Sequence, residues 1–191
     1  MNTKTRKFTT LGLVILGLAA ILHSFHSHVG AQSIVQSNPR APLILDVAED
    51  CNKFNYMRGL TLDEIVRGDG FIAGGKIFPG GTLVPGNQTN DPNAPGSFGN
   101  WVARGTSTGT LAEHIANPTQ PAIFWTQYLL LDDGRGLVGE GWFAPSGANQ
   151  TAITGGLGRL RGASGEMFTE VLGTNITGCG NYRLTFEFTR R

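Results

Sequence analysis

The residue types able to do chemistry in this chain are few, and most stand on apolar segments. In residues 136–144 one parity carries Val138, Glu140 and Trp142, the other Leu137, Gly139, Gly141 and Phe143. A lone carboxylate beside a tryptophan, if enclosed in an apolar cavity, is pushed toward its protonated form and serves as a general acid or base. The plainer reading is a Glu140 that faces water or pairs with a cation, because perturbed carboxylates are often structural. Tyr128 is the second proton-transfer candidate, against the reading of a core aromatic with its hydroxyl at the rim. Trp101, Trp125, Trp142 and Arg104 are the candidate ligand contacts. Their alternatives are core filling for the tryptophans and an exterior ion pair for Arg104. His114 is the only histidine beyond residue 28, so no second imidazole joins it and no metal site is expected. A hydrolase triad would have to be built around it. No G-x-S-x-G elbow is present, and Gly162-Ala163-Ser164-Gly165 has the wrong spacing.

The elements that must hold these residues read as strands. Residues 69–78, 100–110, 123–131, 136–144, 150–154, 166–172 and 181–189 are short apolar or alternating runs separated by turn residues. Asp132-Asp133-Gly134-Arg135 is a hairpin signal, and the Asn/Pro/Gly stretch 85–99 is an exposed loop. Residues 43–47 are a further strand candidate ending in Glu49-Asp50, whereas 52–67 fit a brief helical turn or a strand equally well. The last strand alternates, with Tyr182, Leu184, Phe186 and Phe188 on one face and Arg183, Thr185 and Glu187 on the other. Almost no helix and strands at short intervals predict an all-β fold, a single closed antiparallel barrel of about eight strands. Such a barrel is just wide enough inside to be filled by side chains or to hold one small ligand. Segment 123–131 is apolar on both parities, which predicts cover on its outer face from a neighbouring subunit or a terminal segment.

Residues 151–166, Thr-Ala-Ile-Thr-Gly-Gly-Leu-Gly-Arg-Leu-Arg-Gly-Ala-Ser-Gly-Glu, give a strand, a glycine-built turn and the start of another strand. Leu160 between Arg159 and Arg161 would plug inward while the two charges face water. Gly156, Gly158 and Gly162 form G-x-G-x-x-x-G with no helix after them, which argues for a structural corner over a phosphate-cradling loop. The run Ala-Ile-Thr-Gly-Gly-x-Gly-x-x-x-Gly-Ala-x-Gly resembles the signature turn of the allene oxide cyclase and dirigent superfamily of small β-barrels. Gly70-Phe71 with Gly75-Lys76-Ile77-Phe78-Pro79-Gly80-Gly81-Thr82-Leu83, and Trp101-Val102-Ala103-Arg104-Gly105, extend the likeness over residues 69–188. The resemblance implies an apolar cavity without a cofactor, used to cyclise a fatty-acid epoxide or to steer phenoxy-radical coupling, and it implies a homo-oligomer, a trimer or dimer. Residues 43–67 depart from the plant pattern, so no catalytic assignment carries over.

Lys4, Arg6 and Lys7, the apolar run 11–22 and the small residues Val29-Gly30-Ala31 read as a secretory signal over residues 1–31. The apolar run is short for a membrane span, which needs roughly 20 residues. Residues 32–67 are then a leader with the first strand or strands, and 68–191 the barrel. His23, His26 and His28 fall in the segment expected to be removed. Cleavage leaves 160 residues with a formal charge of −2, too near neutral for a nucleic-acid footprint. Cys51 and Cys179, before the first clear barrel strand and just before the last, suit a disulfide in an exported chain; two buried thiols are the alternative. Asn87, Asn149 and Asn175 lie in sequons, which matter only in a host that glycosylates. The expectation is a secreted or periplasmic, cofactor-free barrel without a membrane anchor. It would bind a small fatty-acid-like or phenolic molecule and perform cyclase or isomerase chemistry if it is an enzyme. The alternative is a non-catalytic envelope or binding protein with a side-chain-filled barrel.

Overall fold

A computed structural model describes residues 42–146 and 149–189. The expected signal, its three histidines and most of the leader lie outside the described residues. Among the described residues there are nine strands: β1 (Leu43–Glu49), β2 (Asn55–Tyr56), β3 (Gly70–Pro79), β4 (Gly99–Ser107), β5 (Ile123–Leu131), β6 (Gly136–Phe143), β7 (Asn149–Leu157), β8 (Gly165–Thr174) and β9 (Gly180–Phe188). Every pairing is antiparallel, in the order β1-β9-β8-β7-β6-β5-β4-β3, and β3 pairs back to β1. That last ladder closes an eight-stranded barrel. β2 continues the path of β1 after a 3₁₀ turn at Cys51–Lys53 and pairs with the opening residues of β3. The ambiguous segment 52–67 thus contains a strand of two residues and a second 3₁₀ turn, Leu62–Glu64.

Alternation fixes which side chains enter the barrel, since successive residues of a strand point to opposite faces. Leu45 and Val47 of β1, Leu129 and Leu131 of β5, and Leu184 and Phe186 of β9 are buried together in one interior cluster. Half-buried Leu160 packs against that cluster from the corner between β7 and β8, and Arg159 and Arg161 are exposed. The corner needs glycine at Gly156, where a Cβ would sit 2.1 Å from the carbonyl oxygen of Leu160, and at Gly158, whose φ is +59°. The corner thus adds one apolar side chain to the interior cluster.

Asp46 points outward yet is fully buried, because the loop 80–98 folds over it. Its carboxylate accepts from the backbone N–H groups of Gly81 (2.9 Å) and Leu83 (2.8 Å) and from Nε of Arg183 (2.8 Å). A buried charge so fully bonded anchors the loop, and Phe78, Leu83 and Leu172 pack as a second small cluster there. Between β4 and β5, where sequence places only a connection, lies a short helix α1 (Leu111–Ala116). It is nucleated by a capping box in which Thr110 and Glu113 satisfy each other's backbone. Among the described residues no helix is long and apolar enough to cross a membrane.

Candidate functional site

The upper end of the barrel is where β1 finishes and β9 begins. The inward parity of β1 continues past Leu45 and Val47 to Glu49, which is 6% exposed. Its Oε2 accepts from the Tyr182 hydroxyl at 2.9 Å and from the Gly180 N–H at 3.3 Å. Burial pushes the Glu49 carboxyl above its ordinary value, and those two bonds only partly oppose the push. The Tyr182 phenol is raised well above its usual value by burial and by the neighbouring carboxyl. Tyr56 is pushed up to about 12, by burial first and then by Glu49 and Asp69. Both phenols therefore remain proton donors at neutral pH.

Cys51 and Cys179 are bridged across 128 positions of sequence, and the bridge holds both strands that meet at Glu49. In the chain-entropy picture a closed loop of this length stabilises by about 4–5 kcal/mol. Its local consequence is positional. Cys51 N–H donates to Thr177 Oγ1, and Asn175 Nδ2 donates to the Glu49 carbonyl at 2.7 Å. Of the three sequon asparagines, Asn149 and Asn175 are buried and bonded through their side chains, whereas Asn87 sits in the covering loop.

Around this carboxyl stands a ring of aromatic side chains. Tyr182 lies 6.0 Å from Trp101, 6.5 Å from Trp125 and 6.2 Å from Phe143, centroid to centroid. Phe54 is stacked on Phe71 at 5.7 Å and meets Tyr56 edge-on at 5.0 Å. Phe54, Tyr56, Phe143 and Tyr182 are only half-buried, so this end of the barrel is a partly open aromatic mouth. Deeper in, Trp101 Nε1 donates to Gln127 Oε1 at 2.9 Å. The buried atoms Trp125 Nε1, Gln127 Nε2, Thr151 Oγ1 and Thr169 Oγ1 have no partner among the described residues.

The residues singled out from sequence divide between the two sides of the wall. Trp101 and Trp125 are inside. Glu140, Tyr128, Arg104 and Trp142 are on the outer face: Glu140 and Arg104 are exposed, Tyr128 and Trp142 half-buried. The inner face of β6 is the other parity, Leu137, Gly139, Gly141 and Phe143, because the space inside its glycines is taken by Met167 and Thr151. Arg104 lies 5.9 Å over the Tyr128 ring. Glu140 and Arg104 flank Thr126 in register and line an outer cleft of about 660 Å³ with Met57, Phe124 and Trp125. Glu49 and Gln127 escape the sequence reading as site residues. The signal for Glu49 was one more step of the parity that already put Leu45 and Val47 inside. Among the described residues no group of three His, Cys, Asp or Glu side chains is placed to hold a metal ion.

Fold and mouth together define a small, closed antiparallel barrel with aromatic side chains at one end. Solved structures share that fold. The pterocarpan synthase dirigent protein PsPTS1 superposes with a TM-score of 0.53 at 13% identity, covering 78% of this chain and 92% of that one. GePTS1, a second pterocarpan synthase dirigent protein, gives 0.51 at 12% identity, covering 86% and 96%. A pyocyanin demethylase gives 0.49 at 17% identity, covering 77% of this chain and the whole of that one. No protein-family model matches the sequence, and no curated protein does. The likeness drawn from the glycine corner to the allene oxide cyclase and dirigent superfamily therefore holds at the level of fold.

Proposed function

We propose that this is an exported barrel that admits a small hydrophobic molecule at its aromatic mouth and holds it in one conformer against the Glu49 carboxyl. The chemistry it would serve is isomerisation, cyclisation or coupling of the bound molecule without a cofactor. Glu49 would lend a proton and take it back, and Tyr182 would keep the carboxyl in place. The observation that supports this most is the buried carboxyl itself, bonded to a phenol inside a half-open ring of aromatic side chains. A general acid of this kind contributes roughly 10²–10⁴-fold to a rate. The disulfide and the basic-then-apolar start of the chain support the exported reading. The uncovered apolar outer wall of β5 supports the expectation of a homo-oligomer.

The test uses protein beginning at Gln32 and a panel of fatty-acid-like and phenolic ligands. A Trp142→Phe variant leaves only the two interior tryptophans to report by fluorescence. Quenching in that variant is expected, and Glu49→Gln should retain binding while losing about 100-fold or more of any turnover. No quenching and no melting shift across the panel would return the protein to the side-chain-filled alternative. A second reading places the ligand in the outer cleft between Arg104 and Glu140. There Glu140→Gln would abolish turnover and Glu49→Gln would not.

A further inference from the structure

Two opposite charges stand close together on the outer wall without pairing. Arg104 and Glu140 are exposed, and neither has an ion-pair partner among the described residues. They lie on β4 and β6, on either side of Thr126 of β5 and in register with it. Arg104 rests over the face of Tyr128 at 5.9 Å. The rest of the outward parity of β5 is Phe124, Tyr128 and Leu130, with Phe124 and Leu130 exposed. The strip is therefore apolar along its middle strand, with a cation on one flank and an anion at the same level on the other. Such a strip is complementary to a copy of itself.

From this we infer that a second copy docks on this wall as a twofold dimer whose axis runs along β5 above Thr126, so that each Arg104 meets Glu140 of the partner subunit. The inference rests on the homo-oligomer reading above and adds its symmetry and its contacts. Two twofold axes can lie in the plane of contact at Thr126. The axis across the strands sets Arg104 on Arg104 and Glu140 on Glu140, and like charges face to face are strongly opposed. The axis along β5 exchanges β4 with β6, and both charges then find their opposite. Packed sheets stand about 10 Å apart, and a barrel wall curves away on either side of the line of contact. Along β5, Phe124, Tyr128 and Leu130 meet their own copies. On the flanking strands only long side chains reach across, and arginine and glutamate are long. A head-to-tail ring such as a trimer brings two different patches together and leaves this balance unused. The dimer fills the outer cleft lined by Met57, Arg104, Phe124 and Glu140.

The experiment measures the dimer constant by sedimentation of the chain from Gln32, which contains every described residue. Arg104→Glu and Glu140→Arg each turn both contacts of the dimer into like-charge contacts, and each should weaken it about 100-fold or more. An equimolar mixture of the two variants separates pairing from mere disruption. In a mixed pair the introduced acid faces the introduced base at one contact, and native Arg104 faces native Glu140 at the other. The mixture should therefore associate within about tenfold of the parent. Both positions are exposed, and interior tryptophan fluorescence as in the parent verifies that each variant is folded. Thr126→Cys, on the axis, should cross-link to its own copy with a short bismaleimide, because the two native cysteines are bridged. Variants that leave the dimer unchanged, variants that weaken it without recovery on mixing, or a trimeric parent overturn the twofold pairing and leave the homo-oligomer reading standing. A parent that sediments as a monomer sinks both.

Discussion

Burying Glu49 makes folding sensitive to pH in a direction opposite to that of a salt-bridged acid. Its folded value is raised by burial above the ordinary 4.5. Below 4.5 the carboxyl is protonated in both states and exacts no penalty. As pH rises from there toward the raised folded value, the unfolded chain loses its proton and the folded one keeps it, so stability falls, by about 1.4 kcal/mol for each pH unit of the interval. Above the folded value the penalty is constant. Glu49→Gln removes that dependence, and its amide oxygen still accepts from Tyr182. The variant should match or exceed the parent in denaturant midpoint at pH 7, and the difference between them should shrink on acidification to pH 4. A variant less stable at pH 7 with a gap that closes in acid would show that the carboxyl is ionised and paired. Side-chain parity was readable here, whereas the identity of the inner face was not. On β6 the inner parity contains Gly139 and Gly141, which carry no hydrophobic signal. Glu140 and Trp142 on the other parity therefore read as the chemically interesting face, and the structure puts them outside.

At the scale of elements, the corner between β7 and β8 shows how much the chain declares locally. Its glycines and the charge-leucine-charge pattern of Arg159, Leu160 and Arg161 sufficed to predict a turn with one inward plug. Adjacent glycines there differ sharply. A Cβ on Gly155 meets nothing within 4 Å, while one on Gly156 runs into the backbone of Leu160 at 2.1 Å. Gly155→Ala should accordingly change stability by no more than about 0.5 kcal/mol, and Gly156→Ala should cost about 1–3 kcal/mol or more, read from urea midpoints. Comparable losses would mean that the corner is not built as described. What escaped sequence was non-local. β1 closes the barrel against β3 and β9 only because Leu43–Glu49 finds both partners at once. Nothing within residues 43–49 announces two ladders, and the burial of Asp46 depends on a loop more than 30 residues away.

For the whole molecule, the wall formed by β3 to β7 carries more apolar surface outward than a solitary barrel needs. Phe124 is 57% exposed, Leu157 53%, Ile72 46% and Leu130 44%. Leu130 and Leu157 lie on either side of Gly136, and Phe124 is in register with half-buried Trp142. Exposed side chains of this size in one region mark a surface that is normally covered. The described chain supplies no cover there, in contrast to the β1–β3 ladder, where loop 80–98 closes over Asp46 and Phe78. The proposed occupant is a second copy of the same wall. A stable assembly would bury about 800 Å² per subunit, which strands of eight to ten residues side by side can provide. Sedimentation of the chain from Gln32 at micromolar concentration is expected to give a dimer or trimer, with a melting temperature that rises with concentration. Phe124→Glu combined with Leu130→Glu should yield a monomer whose melting temperature no longer depends on concentration, while interior tryptophan fluorescence stays as in the parent. Retention of the assembly in the double variant would move the interface elsewhere on the barrel. A parent that sediments as a monomer throughout would overturn the second copy as the cover of this wall.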